Sequence, residues 1–168
     1  MIAAMLIRLF APRLILSTLG LFLFLQGTFS QNYTTVKTAP SKALAAFENA
    51  QQYLQQGDPA RALRALDQAL AVDSNFIEAR LIWAETHFDA GHWTEAEHGF
   101  EAVMRLNPSF HPSVPFNLAL AEWRQDKFSE AHTHIDNFLK SGVKDAALMY
   151  KAQRLAENSL FAMEAIKN

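Results

Sequence analysis

The residues best equipped for chemistry are six histidines, set among seventeen Asp and Glu side chains. A helical metal site needs its ligands three or four residues apart, because only those share a face. His132 and His134 are two apart in a predicted helix and point to different sides, and His87 and His92 straddle a predicted turn. These spacings give the histidines surface or packing roles rather than a metal. Glu95 and Glu97 are the closest paired carboxylates, and they fall at a predicted helix start, where a solvated acid suits the helix dipole. No G-x-S-x-G frames a serine nucleophile, and no G-x-x-x-x-G-K-[ST] or G-x-G-x-x-G offers a phosphate cradle. There is no cysteine, which excludes a thiolate site, a disulfide framework and a lipidated bacterial N-terminus. The expectation is a chain with no catalytic residue, no metal, no cofactor and no small-molecule substrate.

The elements that would carry any site must therefore be read for binding instead. At 168 residues the chain is long enough for one domain with a real core. Only Arg8 and Arg13 are charged in residues 1–30. Residues 31–168 thus keep 13 of the 15 basic residues and all 17 acids, a net charge of −4. An acidic body without a basic stripe excludes nucleic acid as a partner.

The N-terminus has the three-part layout of an export signal. Arg8 and Arg13 precede the apolar run Leu14 to Leu25, and Thr28 and Ser30 are the small residues before a cut between Ser30 and Gln31. The apolar run is 12 residues, short of the roughly 20 that span a bilayer as a helix. Residues 1–30 are thus expected to be a signal peptide, and the product to be exported to the periplasm or cell envelope. Residues 31–41, QNYTTVKTAPS, read as a flexible lead-in, with Pro40 and Ser41 marking a helix start.

Three segments then line up, at 43–76, 77–110 and 112–144. Gly57 recurs as Gly91. Ala62, Ala96 and Ala131 match, as do Leu66, Phe100 and Ile135, and Ala50, Ala84 and Ala119. Glycine supplies the turn within a unit, and the alanines let helices approach closely. Asp58 with Pro59 forms an N-cap and first helical residue, and Thr94 with Glu97 has capping-box spacing. The third unit has Asp126-Lys127 in place of the turn glycine, and Pro115 predicts a short helix beginning nearby. Residues 145–165 carry an apolar stripe at Met149, Ala152, Ala156, Leu160 and Met163, expected as a helix that caps the array.

This pattern resembles the tetratricopeptide repeat, a helix–turn–helix unit of 34 residues, over residues 43–144. The resemblance implies an all-α, right-handed solenoid spanning 42–168, with a concave groove lined by the first helix of each unit. His87 stands where the family usually has Tyr. Carried over by alignment, the groove is lined by Gln51, Leu54 and Gln55, by Glu78, Glu85, Phe88 and Asp89, and by Leu120, Trp123 and Arg124, with Phe88 and Trp123 as anchors. Phe47, Leu81 and Phe116 also align there but are expected to pack between helices. Some family members clamp a C-terminal carboxylate with Lys and Asn. Here those places hold Phe47, Gln51 and Ile82, so that clamp is absent.

The end of the chain, RLAENSLFAMEAIKN, resembles the N-terminal repeat region of Bacteroidetes envelope proteins that continue into a β-propeller and an OmpA-like domain. The sequence therefore leads to an exported scaffold that holds a protein or peptide in its groove, with association to an outer-membrane or secretion complex. The alternative is the repeat arm of a larger OmpA-like, peptidoglycan-associated envelope protein.

Overall fold

The computed structural model describes residues 32–167. The expected signal segment 1–30 and its cleavage site at Ser30 and Gln31 lie outside the described residues. Among the described residues seven helices follow one another: α1 (Ser41–Gln55), α2 (Pro59–Val72), α3 (Ile77–Asp89), α4 (Trp93–Leu106), α5 (Val114–Trp123), α6 (Phe128–Lys140) and α7 (Ala146–Lys167). They form three antiparallel pairs and a terminal helix, each element packed on its neighbour in sequence. This is an all-α tetratricopeptide-type solenoid.

The three turns inside the pairs are built alike. The N–H of Asp58 donates to the carbonyl of Tyr53 at 2.9 Å, that of His92 to His87 at 2.9 Å, and that of Lys127 to Glu122 at 3.0 Å. These bonds close the end of the first helix around one residue of positive φ, the Schellman arrangement. Gly57 and Gly91 occupy that place at φ 71° and 79°, and Asp126 takes it in the third unit at φ 61°. Aspartate tolerates the left-handed region better than most residues, which is why the turn survives without glycine. Asp58 caps α2 as its sequence predicts, Oδ1 accepting from the N–H of Arg61 at 2.9 Å with Pro59 first in the helix. Pro115 sits in the first turn of α5, whose ten residues make it the shortest of the seven helices.

The capping box expected from Thr94 and Glu97 does not form. α4 begins at Trp93 after an N-cap His92 that makes no side-chain cap bond. Thr94 therefore lies inside the first turn, and Glu97 is buried rather than solvated. Both side chains reach out of their helix toward the third unit.

The core is three successive clusters, one per pair. Phe47, Leu66 and Phe76 centre the first, Phe100, Val103 and Leu118 the second, and Ile135, Phe138 and Leu155 the third. α7 contributes Ala152, Leu155 and Ser159 to buried positions, and Asp145 Oδ1 accepts from the N–H groups of Ala147 and Leu148 at 2.9 and 3.0 Å to start it.

Residues 32–40 correct the expectation of a flexible lead-in. Thr34 donates its N–H to the carbonyl of Asn75 at 3.0 Å and accepts from the N–H of Ile77 at 3.0 Å, a parallel β-bridge to Phe76. Its hydroxyl donates to Asp73 Oδ2 at 2.5 Å. Tyr33 lies edge-on to Phe110, and its hydroxyl accepts from Asn107 Nδ2 at 3.1 Å. The segment is a strap that ties the connection between units one and two to the connection between units two and three.

Candidate functional site

One face of α3, half-buried along most of its length, carries three carboxylates and an isoleucine in one line. Glu78, Ile82, Glu85 and Asp89 fall at steps of four, three and four, so all four share one side of the helix. The flank of α3 about a quarter turn round from this line buries Ile77, Leu81 and Ala84. Beside the line of carboxylates, the end of α1 and the start of α2 bring Leu54 and Pro59. Together they border an open cavity of about 470 Å³ lined by Leu54, Pro59, Ile82, Glu85, Thr86, Asp89 and Ala90. Its floor is apolar, and its charged lining consists of carboxylates.

Three of the ten groove residues proposed from sequence, Leu54, Glu85 and Asp89, meet in this cavity. Gln51 and Gln55 are exposed on α1, and Glu78 is half-buried, its Oε1 accepting from the strap N–H of Val36 at 3.3 Å. Phe88 and Trp123 are not free anchors. Phe88 is half-buried, its ring 5.1 Å from Trp93 and 6.1 Å from Phe100. Trp123 is half-buried 6.0 Å from Phe128, and Leu120 packs with it against the third cluster. Both rings contribute to packing within the array. Arg124 is exposed, and its guanidinium lies over Trp93 at 5.6 Å and over Trp123 at 5.9 Å. Phe47, Leu81 and Phe116 are buried, as expected of packing residues.

Sequence reasoning missed Pro59, Ile82, Thr86 and Ala90 as lining. The signal available was the four-three-four rhythm of α3, which joins Ile82 to Glu78, Glu85 and Asp89.

The electrostatics of the cavity are lopsided. Burial pushes the Glu85 carboxyl above its ordinary range, Asp89 pushes it the same way, and His111 opposes both. Elsewhere, the two buried acids have charged or titratable partners. Lys127 Nζ donates to both oxygens of Glu97 at 2.8 and 2.6 Å, and Glu122 meets His134 Nδ1 at 2.8 Å. Among the described residues, neither Glu85 nor Asp89 is in an ion pair. The histidines do not assemble a metal centre: His87 and His92 approach to 3.1 Å through their Nδ1 atoms, but no group of three or more His, Asp or Glu that could hold an ion exists among the described residues.

Residues 53–110 match the sequence profile of the family described as Tetratricopeptide repeat. No curated protein matches the chain in sequence. Among solved structures, the first TPR domain of human RPAP3 is 18% identical with a TM-score of 0.63, covering 76% of this chain and 98% of that one. The first TPR of Spaghetti (RPAP3) bound to the HSP90 peptide SRMEEVD is 18% identical with a TM-score of 0.63, covering 71% and 95%. The Yersinia enterocolitica type III secretion chaperone SycD, in complex with a peptide of the translocator YopD, is 15% identical with a TM-score of 0.60, covering 77% and 98%. At these identities the likeness establishes the fold.

Proposed function

We propose that this chain is an exported scaffold of the cell envelope that holds a protein partner in the groove between α1 and α3. The observation that carries the reading is the cavity itself, where Leu54, Pro59 and Ile82 form an apolar floor beside the carboxylates of Glu85 and Asp89. Apolar surface with a few placed polar groups is how such sites gain affinity and direction. Peptides occupy two of the structurally similar proteins, the HSP90 peptide and the YopD peptide, which supports a peptide-like segment as the occupant here. Export rests on the arrangement of Arg8, Arg13, Leu14–Leu25 and Ser30. No helix among the described residues is long and apolar enough to cross a membrane.

A photo-crosslinking residue placed at Gln55 or Asp89, in the cells that make the protein, should capture a partner. The same residue at His98 or Arg105, exposed on α4, should not. Capture from α4 positions alone would overturn the groove assignment.

A second reading, the repeat arm of a larger envelope protein, draws on the far end of α7. There Leu160, Phe161 and Ile166 are 45%, 75% and 71% exposed, a surface suited to meeting a following domain.

A further inference from the structure

The charge of the cavity narrows what can occupy it. We infer that the groove between α1 and α3 takes a basic–apolar peptide segment, with a Lys or Arg side chain laid along Leu54 and Ile82 and its cation placed between Glu85 and Asp89. The inference rests on the groove being the binding surface and adds the chemistry of the occupant.

The first observation is that the polar and apolar halves of the cavity are arranged as a long basic side chain is. Lys and Arg bury an aliphatic stem along apolar surface and keep a charged end for polar partners. Leu54, Pro59 and Ile82 supply the surface, and Glu85 and Asp89, one helical turn apart on α3, supply the partners. The second is that these two carboxylates, one turn apart on the same side of α3, are in no ion pair among the described residues. Burial and the neighbouring Asp89 both disfavour the Glu85 anion, and the exposed imidazole of His111 is the one group that favours it. An incoming cation would relieve that cost. The third is that a cation on the next unit is already engaged elsewhere. Arg124 is held over the rings of Trp93 and Trp123.

An acidic segment is excluded by the same charges, because it would bring like charge onto a half-desolvated carboxylate. The absence of a Lys–Asn clamp at Phe47, Gln51 and Ile82 agrees with this.

The test uses fluorescence anisotropy on the purified chain with three labelled peptides of one amphipathic design. They carry Lys, Gln or Glu at the same two positions between leucines. The Lys peptide should bind, and the Glu85→Gln/Asp89→Asn variant should weaken it roughly ten- to hundredfold, the range of one or two lost charge-assisted contacts. The Glu85→Lys/Asp89→Lys variant should prefer the Glu peptide. Circular dichroism melts check that both variants fold. Equal binding of all three peptides, abolished by Ile82→Ser, would overturn the charge assignment and leave the groove standing. Lys-peptide binding that both Ile82→Ser and the charge variants leave unchanged would remove the groove reading as well. No binding of the Lys peptide overturns the inference outright.

Discussion

The joint between the first and second units and the joint between the second and third are built from the same positions with opposite chemistry. At the second joint, α4 sends Thr94 and Glu97 into the next turn. Thr94 Oγ1 donates to Gln125 Oε1 at 2.9 Å, Gln125 Nε2 to Glu97 Oε2 at 2.6 Å, and Lys127 Nζ to Glu97 at 2.6 Å. One unit earlier, the residues aligned with Thr94, Glu97, Gln125 and Lys127 are Ala60, Leu63, Ala90 and His92. The first joint instead relies on Trp83, packed against the first cluster with its Nε1 donating to Asp67 Oδ1 at 2.9 Å. A solenoid can thus close one interface by shape and the next by a charged network. The first joint depends on the seating of one indole, whereas the second depends on keeping its charged partners.

The first joint can be disturbed through Trp83 by the smallest addition inside the second unit, where α4 packs on α3. A Cβ at Gly99 would lie 2.6 Å from Ala84 Cβ and 3.1 Å from Trp83 Cε3. Gly99→Ala would therefore push α4 off α3 and displace the indole that spans the joint. Overpacking of this kind costs about 3 kcal/mol, although alanine is the better helix former by roughly 1 kcal/mol. Urea unfolding of Gly99→Ala should show the loss, and an unchanged midpoint would mean that Gly99 is not under contact.

The second joint should break on removal of its cation. The Glu97 side chain is 10% exposed and that of Lys127 39%, so Lys127→Met strands a nearly buried carboxylate. A fully buried pair loses several kcal/mol this way, and the half-open lysine reduces the expected cost to about 2 kcal/mol. Converting the joint to the chemistry of its neighbour, with Glu97→Leu and Lys127→His together, should recover most of that. A double variant no more stable than Lys127→Met would show that the two joints are not interchangeable.

This contrast also explains which parts of the molecule the sequence disclosed. Helix period, the turn glycines and the Asp58–Pro59 start are local, and each is visible within a few residues. The network at the second joint is not local. Thr94 and Glu97 have capping-box spacing, but α4 starts at Trp93, so both side chains were free to reach thirty residues ahead. The strap was hidden for a related reason. TTVKTAP reads as loop by composition, and its anchor is a bridge to residues 75–77 that carries no periodic signal. In the site, alignment chose Glu85, Asp89 and Leu54 because position along the repeat fixes which side they face. It chose Phe88 and Trp123 for the same reason, but large rings so placed fold back onto Trp93, Phe100 and Phe128 rather than standing in the groove.

The smallest effect, and the sharpest comparison, concerns one aligned pair. His87 and Glu122 occupy the same position in successive units, and burial is the first cause of the shift at each. It lowers His87 below 6.5, with His92 adding to the shift and Glu95 and Asp67 opposing it. It raises Glu122 above 4.5 against the opposing contact of His134, with Glu97 and Glu130 adding to the rise. The signs for stability are therefore opposite. The folded state resists protonation of His87, so acidification through 6.5 takes up protons preferentially in the unfolded chain and removes stability. At Glu122 the folded state takes the proton more readily, so acidification from above its raised pKa toward 4.5 restores stability. Tyr at position 87, the residue usual in tetratricopeptide repeats, removes the first effect, and Glu122→Gln removes the second. Thermal melts from pH 7.5 to 4.5 should show a shallower fall for His87→Tyr than for the parent chain near pH 6. Glu122→Gln should show a steeper fall near pH 5. Parallel curves for all three proteins would mean that burial at this position does not set either charge state, and that the two units differ in packing alone.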